Sequence, residues 1–382
     1  MSNTNLSRAV ILAALAIPCA AFAQEEVHRT HPTHGALNIA VGDYGISVGN
    51  SRGINGLRIN FRDDDLRWVN GINLTFWKAR DNYDAVVNGL AVGLVGPQAG
   101  KINGIALGIG IEAEHLNGLS VGALASVVTQ SLHGVAVGGL ATVAAEGNLA
   151  GVAVGGLATV VNNDLAGIAV GGLATVTNGD MDGIGIGGLA TVSNGSFRGL
   201  AVGGLASVVN GTTTGASVGG LATVHNRDAV GLHVGGLATV VNGRATGLLV
   251  GGLASVVNGD MTGIGISGLA VVASGRIRGI ALSAGAVHAE GIMKGVAVGG
   301  YKVEGRHLEG LIIAGIRTKA RRSLTGLAIA GYNNIQGVQH GLTIGLYNRA
   351  RELHGMQIGL LNYAGNNEGV WRWMPIINAH LN

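Results

Sequence analysis

Residues 167–182 read Gly-Ile-Ala-Val-Gly-Gly-Leu-Ala-Thr-Val-Thr-Asn-Gly-Asp-Met-Asp, and a second copy of this sixteen-residue unit starts at Gly183. The leading glycine recurs every sixteen residues without a slip, at Gly151, Gly167, Gly183, Gly199, Gly215, Gly231, Gly247, Gly263, Gly279 and Gly295. Looser copies, spaced 14 to 18 residues apart, begin at Gly56, Gly71, Gly89, Gly104, Gly118, Gly134, Gly310, Gly326, Gly341 and Gly355. Such a period is the signature of a repeat architecture in which each unit packs on its neighbours.

Three positions of the unit hardly vary. The leucine column comprises Leu157, Leu173, Leu189, Leu205, Leu221, Leu237 and Leu253. The hydroxyl column comprises Thr159, Thr175, Thr191, Ser207, Thr223, Thr239 and Ser255. The asparagine column comprises Asn162, Asn178, Asn194, Asn210, Asn226, Asn242 and Asn258. Short apolar runs broken by glycine favour strands, so we predict strands at 168–170 and 173–177, a corner at Gly171-Gly172 and a turn after Asn178.

The period predicts an all-β fold, a glycine-rich β-solenoid with about sixteen residues per coil. Equivalent residues of successive coils would lie about 4.8 Å apart. At this spacing each asparagine amide can donate to one neighbouring coil and accept from the other, so the asparagine column predicts a structural ladder. We expect the leucine column to fill the interior, and the hydroxyl column to be buried or to form a further hydrogen-bonded row.

An outer-membrane β-barrel with one unit per strand is the alternative. Residues 167–177 have the length of a membrane-spanning strand, and most charges would fall in the turns. Against the barrel, only 4% of the residues are aromatic, whereas barrels carry aromatic girdles. A Gly-Gly pair would weaken every strand, and antiparallel neighbours would place successive asparagines at opposite rims. The solenoid is therefore the preferred prediction.

The composition indicates a folded chain of thin, closely packed layers. Among 382 residues there are 69 glycines and 4 prolines, and 47% are hydrophobic against 12% charged. Disordered chains carry more charge, and collagen needs glycine at every third position. The net charge of +3, with scattered basic residues, indicates no nucleic-acid partner. A basic cluster of Arg317, Lys319, Arg321 and Arg322 is interpreted as a solvated edge, not a polyanion or lipid-headgroup contact.

The first residues have the pattern of a secretory signal peptide. Arg8 precedes the apolar run 9–17, and residues 21–23 (Ala-Phe-Ala) match a small-x-small cleavage site, so we predict a mature chain from Gln24. The single cysteine, Cys19, falls inside this peptide, so the mature chain would hold no thiol. We expect export to the cell surface, the outer membrane or the periplasm of a bacterium.

The chain divides into four predicted segments. These are a signal peptide at 1–23, an N-terminal leader and cap at 24–55, a glycine-rich repeat domain at 56–366 and a C-terminal cap at 367–382. The repeat domain is most regular at 134–300. Because the ends of a solenoid need capping, the tryptophans of the Trp-Arg-Trp-Met-Pro stretch at 371–375 are expected to cover the last coil.

The late units resemble those of a family of uncharacterised bacterial surface-repeat proteins. Residues 341–348, Gly-Leu-Thr-Ile-Gly-Leu-Tyr-Asn, and 355–362, Gly-Met-Gln-Ile-Gly-Leu-Leu-Asn, are similar to that family's Gly-Leu-Gln-Ile-Gly-Leu-Ile/Val-Asn unit. Residues 375–380, Pro-Ile-Ile-Asn-Ala-His, resemble its closing segment. The similarity covers about the last fifty residues, and the central units keep its rhythm but differ in sequence. It implies a secreted, surface-associated product and brings neither an activity nor catalytic residues.

Two motifs of catalytic type are interpreted as products of the repeat. Gly-x-Ser-x-Gly surrounds Ser47, Ser120 and Ser217, but a hydrolase elbow needs a strand-turn-helix context. Gly-x-Gly-x-x-Gly at 183–188 and 263–268 lacks the following helix that a dinucleotide site needs. We therefore expect no enzyme, no catalytic residue and no cofactor.

No dedicated metal site is assigned. His28, His31 and His34 form His-x-x-His-x-x-His and are the one candidate, in what is interpreted as a flexible leader. The Asn-Gly-Asp turns at Asn178 and Asn258 lack the signature of calcium-binding solenoids. Because only one hydroxyl column is strict, ice binding is also disfavoured.

Two functional hypotheses follow. The first is an exported, non-enzymatic surface repeat protein that acts as a structural scaffold or adhesin-like interaction module, with a protein or surface ligand as its partner. The second is an outer-membrane barrel with a pore or assembly role. The sequence specifies no ligand, and any specificity is expected in irregular turns or caps.

Overall fold

The computed structural model describes residues 35–80 and 82–380. The predicted signal peptide, its cleavage site and the three candidate metal ligands His28, His31 and His34 lie outside these residues. The described chain is all-β, with about 19 coils of about 16 residues each stacked as a β-solenoid. The fold predicted from the sixteen-residue period is therefore confirmed.

The N-terminal end starts as a hairpin and passes into parallel coils. Its strands are β1 (Ala36–Val41), β2 (Tyr44–Gly49), β3 (Gly53–Asp64), β4 (Trp68–Arg80), β5 (Val86–Gly93) and β6 (Gln98–Gly138). β1 and β2 are antiparallel, whereas β2 to β6 pair in parallel. Their interior holds a buried ion pair between Arg58 and Asp63, and Arg58 also donates to Asn73 Oδ1 at 3.0 Å and to Asn50 Oδ1 at 2.8 Å. Buried charges need such partners.

The regular part alternates a long and a short strand in every coil. The long strands are β8 (Asn148–Gly155), β10 (Leu165–Gly171), β12 (Met181–Gly187), β14 (Phe197–Gly203), β16 (Thr213–Gly219), β18 (Ala229–Gly235), β20 (Ala245–Gly251), β22 (Met261–Ser267) and β24 (Ile277–Ser283). The short strands are β7 (Ala141–Ala144), β9 (Ala158–Val161), β11 (Ala174–Thr177), β13 (Ala190–Ser193), β15 (Ala206–Val209), β17 (Ala222–His225), β19 (Ala238–Val241), β21 (Ala254–Val257) and β23 (Ala270–Ala273). β25 (Ala286–Gly299) combines both.

Long strands pair in parallel with long strands, and short strands with short strands, always between equivalent residues. Gly167 pairs with Gly183 and Thr175 with Thr191, sixteen positions apart. Each coil therefore contributes one strand to each of two parallel sheet faces. The barrel alternative is wrong, because each unit forms a coil and its strands pair in parallel rather than antiparallel.

The C-terminal end closes the parallel series with an antiparallel strand. Its elements are β26 (Lys302–Ala314), β27 (Arg317–Ile329), β28 (Tyr332–Ile344), β29 (Tyr347–Ala364), a 3-10 turn (Gly369–Arg372) and β30 (Trp373–His380). β30 pairs antiparallel with β29. Trp371 and Trp373 remain 61% and 50% exposed. The last coil is thus covered by strand pairing, and the half-exposed Trp373 contacts it through the rings of Tyr347 and Tyr363, whose centroids lie 6.2 and 4.7 Å away.

Glycine is required both at the leading position of the unit and at the Gly-Gly corner, for two physical reasons. All twenty leading glycines have φ between +115° and +145°, a region that side chains with a Cβ rarely adopt. An added Cβ at Gly167 would also fall on the carbonyl oxygen of Gly151 in the preceding coil. At the predicted Gly171-Gly172 corner, an added Cβ on Gly171 would meet the carbonyl oxygen of Ala174. The positive φ of the leading glycine, within the long strand, is a feature that the sequence did not predict.

The interior is narrow, and a larger inward side chain in one coil can be matched by a smaller neighbour in the same coil. In one coil Leu165 and Ala169 point inward, whereas in the next the corresponding residues are Met181 and Gly185. A Cβ on Gly185 would lie 2.9 Å from the sulfur of Met181, so the larger side chain occupies the space that alanine fills elsewhere. Close packing of this kind is sensitive to a single added methyl group.

The prediction that the leucine column fills the interior is wrong. Each of its members is 47–48% exposed, on the outside of the Gly-Gly corner. The interior beside them is already filled by the hydroxyl column, whose side chains are at most 1% exposed. Burial of the hydroxyl column, in contrast, agrees with the sequence prediction.

Candidate interaction surface

The outer surface of the long strands is apolar in every regular coil. We call it the apolar face and define it by two columns of outward-pointing residues. The first column is Val152, Ile168, Ile184, Leu200, Ala216, Leu232, Leu248, Ile264, Ile280 and Val296. The second column is Val154, Val170, Ile186, Val202, Val218, Val234, Val250, Ile266, Leu282 and Val298. Several members are more than a third exposed, including Ile186 (37%) and Leu232 (38%).

The exposed leucine column borders the apolar face along the Gly-Gly corner. Beyond it, the short strands present a column of valines, represented by Val192 between the inward-pointing Thr191 and Ser193. Alternate residues of a strand point to opposite sides of the sheet, so these strands carry apolar side chains outward and hydroxyls inward. The solenoid therefore exposes apolar side chains on both strand faces and on the corner between them.

The asparagine column forms the ladder at the opposite, polar turn. Each asparagine from Asn178 to Asn258 donates Nδ2–H to the Oδ1 of its equivalent in the preceding coil, at 2.5–2.8 Å. Asn162, at the start, donates to the carbonyl oxygen of Ala145 at 2.6 Å. The ladder side chains are exposed, apart from the half-buried Asn210. Their role is to hold successive turns in register.

A second asparagine ladder, which the sequence analysis missed, lies near the N-terminus. Asn55, Asn70, Asn88, Asn103 and Asn117 are linked by Nδ2–H···Oδ1 bonds of 2.6–2.8 Å. Each precedes a leading glycine, so the recurring Asn-Gly dipeptide at irregular spacing was the available signal. Further along the chain this column continues with residues such as Asp182 and Arg198.

Acidic side chains at the polar turn bridge consecutive coils. Asp228 Oδ1 accepts the backbone N–H of Arg244 at 2.8 Å, and its Oδ2 pairs with the Arg244 guanidinium at 2.9 Å. Asp260 makes the same pair of contacts with Arg276. The backbone and side-chain hydrogen bonds from Arg244 lower the pKa of Asp228, and those from Arg276 lower the pKa of Asp260. These carboxylates are occupied in linking coils, and no three acids or histidines of residues 35–80 and 82–380 could hold a metal ion.

The hydroxyl column ties each coil to the next through buried hydrogen bonds. Thr175 Oγ1 donates to the carbonyl oxygen of Ile186 and Thr191 Oγ1 to that of Val202, both at 2.6 Å. Near the C-terminus the same column holds Asn333, which donates to the carbonyl oxygen of Ile344 at 3.0 Å. These hydroxyls are turned away from solvent and cannot present a water-ordering surface.

The serines of the Gly-x-Ser-x-Gly motifs also lie in the packed interior of the coils. Ser47, Ser120 and Ser217 are fully buried. Ser120 Oγ lies 2.7 Å from Ser126 Oγ, and Ser217 Oγ donates to Ser207 Oγ at 3.0 Å. Both Gly-x-Gly-x-x-Gly stretches lie in a strand and the corner after it, and a short strand follows each. A nucleophile needs access to a substrate, so these serines are poorly placed for one.

The predicted basic cluster is organised around a single glutamate. Glu304, only 8% exposed, accepts from Arg321 at 3.0 Å, from Lys319 at 3.2 Å and from Lys302 at 3.3 Å. Burial acts to raise the pKa of Glu304, but these hydrogen bonds outweigh it and hold the pKa at about 2. Arg317 lies over the ring of Tyr332, 5.5 Å from its centroid. Much of the cluster's charge is thereby engaged within the protein.

Open grooves are found at the C-terminal end of the described chain. An open groove of about 580 Å3 lies at the C-terminal end, between residues such as Arg349, Glu352 and Asn366. It is shallow and shares no residue with the apolar face. Among the described residues, no helix is long and apolar enough to cross a membrane.

A comparison with protein families, curated proteins and solved structures finds no match for this chain. Its class is defined by its own geometry: it is a β-solenoid repeat protein with in-register parallel coils. Within this class, its particular features are the continuous apolar face, the exposed leucine column and the polar turn held by ladders.

Proposed function

We propose that this protein is an exported, non-enzymatic surface protein that serves as a structural scaffold or adhesin-like interaction module. The observation that carries the proposal is the apolar face, which repeats the same two outward columns over ten consecutive coils. Contiguous exposed apolar surface of this extent is characteristic of a site that binds another molecule.

The construction of the solenoid supports a mechanical rather than a chemical role. Each coil is bonded to the next through paired strands, buried hydroxyls and exposed amides, so one face is displayed repeatedly along a stiff stack. The titratable groups of the polar turn, such as Asp228 and Arg244, bind each other across coils. These groups are thus engaged in holding successive coils together.

Export is supported by the amino-terminal pattern and by the resemblance of residues 341–348 and 355–362 to surface-repeat units. The partner class that we propose is a protein or another surface component that buries apolar side chains. Nucleic acid is disfavoured because the acidic and basic residues of the turn alternate and pair.

The export proposal is tested by producing the full chain in a bacterium with a carboxy-terminal tag. We expect amino-terminal sequencing to give a start at Gln24, and protease added to intact cells to degrade the tagged product. An uncleaved chain that is recovered in the cytoplasm contradicts the proposal. A marker protein of the periplasm, followed in the same cells, distinguishes surface exposure from leakage.

A further inference from the structure

The long strands have the residue pattern of a sheet that is covered on both sides. In β10, Ala169 points into the interior, while its neighbours Ile168 and Val170 point outward, so the strand is apolar on both faces. Purely parallel sheets occur almost only where both faces are covered, and their strands then read as continuous apolar runs. In this protein the inner face is covered by the solenoid itself, and the apolar face is open.

We propose that the apolar face is a self-association surface, on which the same face of a second copy of this chain packs. This inference rests on the proposed interaction role and names its partner. The geometry is that of two sheets stacked face to face, with their outward columns interdigitating about 10 Å apart.

The area of the face, together with the leucine column that borders it, is sufficient for a stable dimer. Ten coils at a strand spacing of about 4.8 Å, and the width from the first outward column to the leucine column, give roughly 48 Å by 20 Å, on the order of 900 Å2. A standard protein interface buries about 800 Å2 on each partner. The regular coils alone therefore provide the contact area that a specific dimer needs.

The face also matches itself in shape. Both copies have the same coil spacing, so every ridge of one column faces a groove between residues of the other. A two-fold axis that lies in the plane between the two faces, parallel to the strands, brings identical columns together in an isologous contact. Isoleucine, leucine and valine side chains, which dominate both columns, interdigitate without leaving polar atoms unpaired.

The charge distribution favours a protein partner over an anionic membrane. The column that borders the face on its other side holds residues of both signs, and Arg198 there pairs with Asp182 at 2.6 Å. Binding to anionic lipid is strengthened by an uninterrupted row of Lys and Arg beside the apolar surface. No such row accompanies the face in the described coils.

The proposal is tested by the mass of the full chain in solution. Sedimentation and light scattering measure this mass between nanomolar and micromolar concentration. We expect a concentration-dependent rise from 38.3 kDa to twice that mass. Replacing Ile186, Leu232 and Ile264 with lysine places three charges within the contact, and we expect the dissociation constant to increase by about a hundredfold or more.

A charge-matched control places three lysines at the polar turn, as Asn163→Lys, Thr212→Lys and Ser274→Lys, where the side chains are exposed. We expect this variant to dimerise like the wild type. Circular dichroism checks that both variants keep their strand content.

If a lysine variant does not fold, an environment-sensitive fluorophore on Leu232→Cys in a Cys19→Ser background replaces it. Its emission should shift to the blue as concentration rises, whereas the same label on Thr212→Cys should not respond.

Three results overturn the inference: a wild type that stays monomeric at all concentrations, equal dimerisation of both lysine variants, or a monomer that binds phosphatidylcholine–phosphatidylglycerol vesicles through the face. Failure here is distinguishable from failure of the proposed function. An exported monomer contradicts only the self-association, and a cytoplasmic dimer contradicts only the export.

Discussion

The imidazole rings of His225 and His233 lie 4.3 Å apart, centroid to centroid, inside the stack of coils, where both side chains are fully buried. Burial, assisted by the neighbouring His233, lowers the pKa of His225 to about 3, and burial lowers the pKa of His233 to about 4. The pair interrupts the apolar core, which ends at Val209 on one side and resumes at Ala229 on the other. We expect acid to destabilise the solenoid at this polar layer.

We expect the free energy of unfolding to fall as the pH falls from 6.5 to about 4. Both histidines have a pKa near 6.5 in the unfolded chain, so in this window the unfolded state binds protons that the folded state cannot accept. Above pH 6.5 the stability is fully present, and below it each histidine removes about 1.4 kcal/mol per pH unit. Urea unfolding at pH 7.5 and pH 5.0, followed by circular dichroism, measures the difference.

The matched control is the double variant His225→Val and His233→Leu. Valine occupies the corresponding place in the adjacent coils, at Val209 and Val241, and leucine does so at Leu249. We expect this variant to lose most of the acid dependence between pH 7.5 and 5.0. An unchanged acid dependence would show that other groups are responsible.

The two leucines of one coil should respond very differently to truncation. Leu165 is 1% exposed and Leu173 is 47% exposed. We expect Leu165→Ala to lower the free energy of unfolding by about 2–5 kcal/mol, as for a buried leucine. Leu173→Ala should cost less than about 1 kcal/mol, because its side chain loses little buried area. Comparable losses in urea unfolding would contradict the assignment of the leucine column to the outside.

Volume compensation in the interior is testable at Met181 and Gly185. An added methyl group at Gly185 would meet the sulfur of Met181, so we expect Gly185→Ala to cost about 1–3 kcal/mol. Met181→Leu together with Gly185→Ala recreates the Leu165 and Ala169 pair of the preceding coil, and should recover most of the loss. A double-mutant cycle measures this coupling, and simple additivity of the two changes would argue against it.

The asparagine ladder is tested at its centre. Asn210 donates to Asn194 at 2.6 Å and accepts from Asn226 at 2.5 Å. We expect Asn210→Ala to lower the free energy of unfolding by about 1 kcal/mol. Asn210→Asp has nearly the same shape but lacks the donor, and at neutral pH it directs a carboxylate at the oxygen of Asn194. It should therefore be at least as destabilising, and wild-type stability of the aspartate variant would mean that the ladder is dispensable.

The period was sufficient to predict the fold because one spacing constrains every coil at once. Ladders along a strict repeat of sixteen residues require equivalent residues of adjacent units to lie side by side. Antiparallel strands would place them at opposite ends, so the antiparallel arrangement is excluded. The Gly171-Gly172 corner and the turn after Asn178 followed from residue type alone. The side of the sheet on which a residue lies is harder to predict, because it depends on how a corner rotates the chain. Leu173 was placed inside for this reason.

Other features required the three-dimensional structure because their signal is spread over distant residues. The exchange of Met181 and Gly185 for Leu165 and Ala169 is visible only once both positions are known to face the same interior. The contact between His225 and His233 joins different columns of adjacent coils, so no single column reveals it. The apolar face itself was hidden because Ile168 and Val170 were not assigned to a side.

The in-register pairing, in which Ala206 lies against Ala222 and Thr191 against Ser207, has a consequence for how such a protein can change in length. Removal of any sixteen consecutive regular residues would delete one coil and bring the two flanking coils into contact. Their strand edges would still fit, because each flanking coil has nearly the same residues at equivalent positions as the coil that was removed. Gain or loss of one unit would alter the span by about 4.8 Å and leave the displayed surface the same. The length of the solenoid can therefore change in steps of one coil.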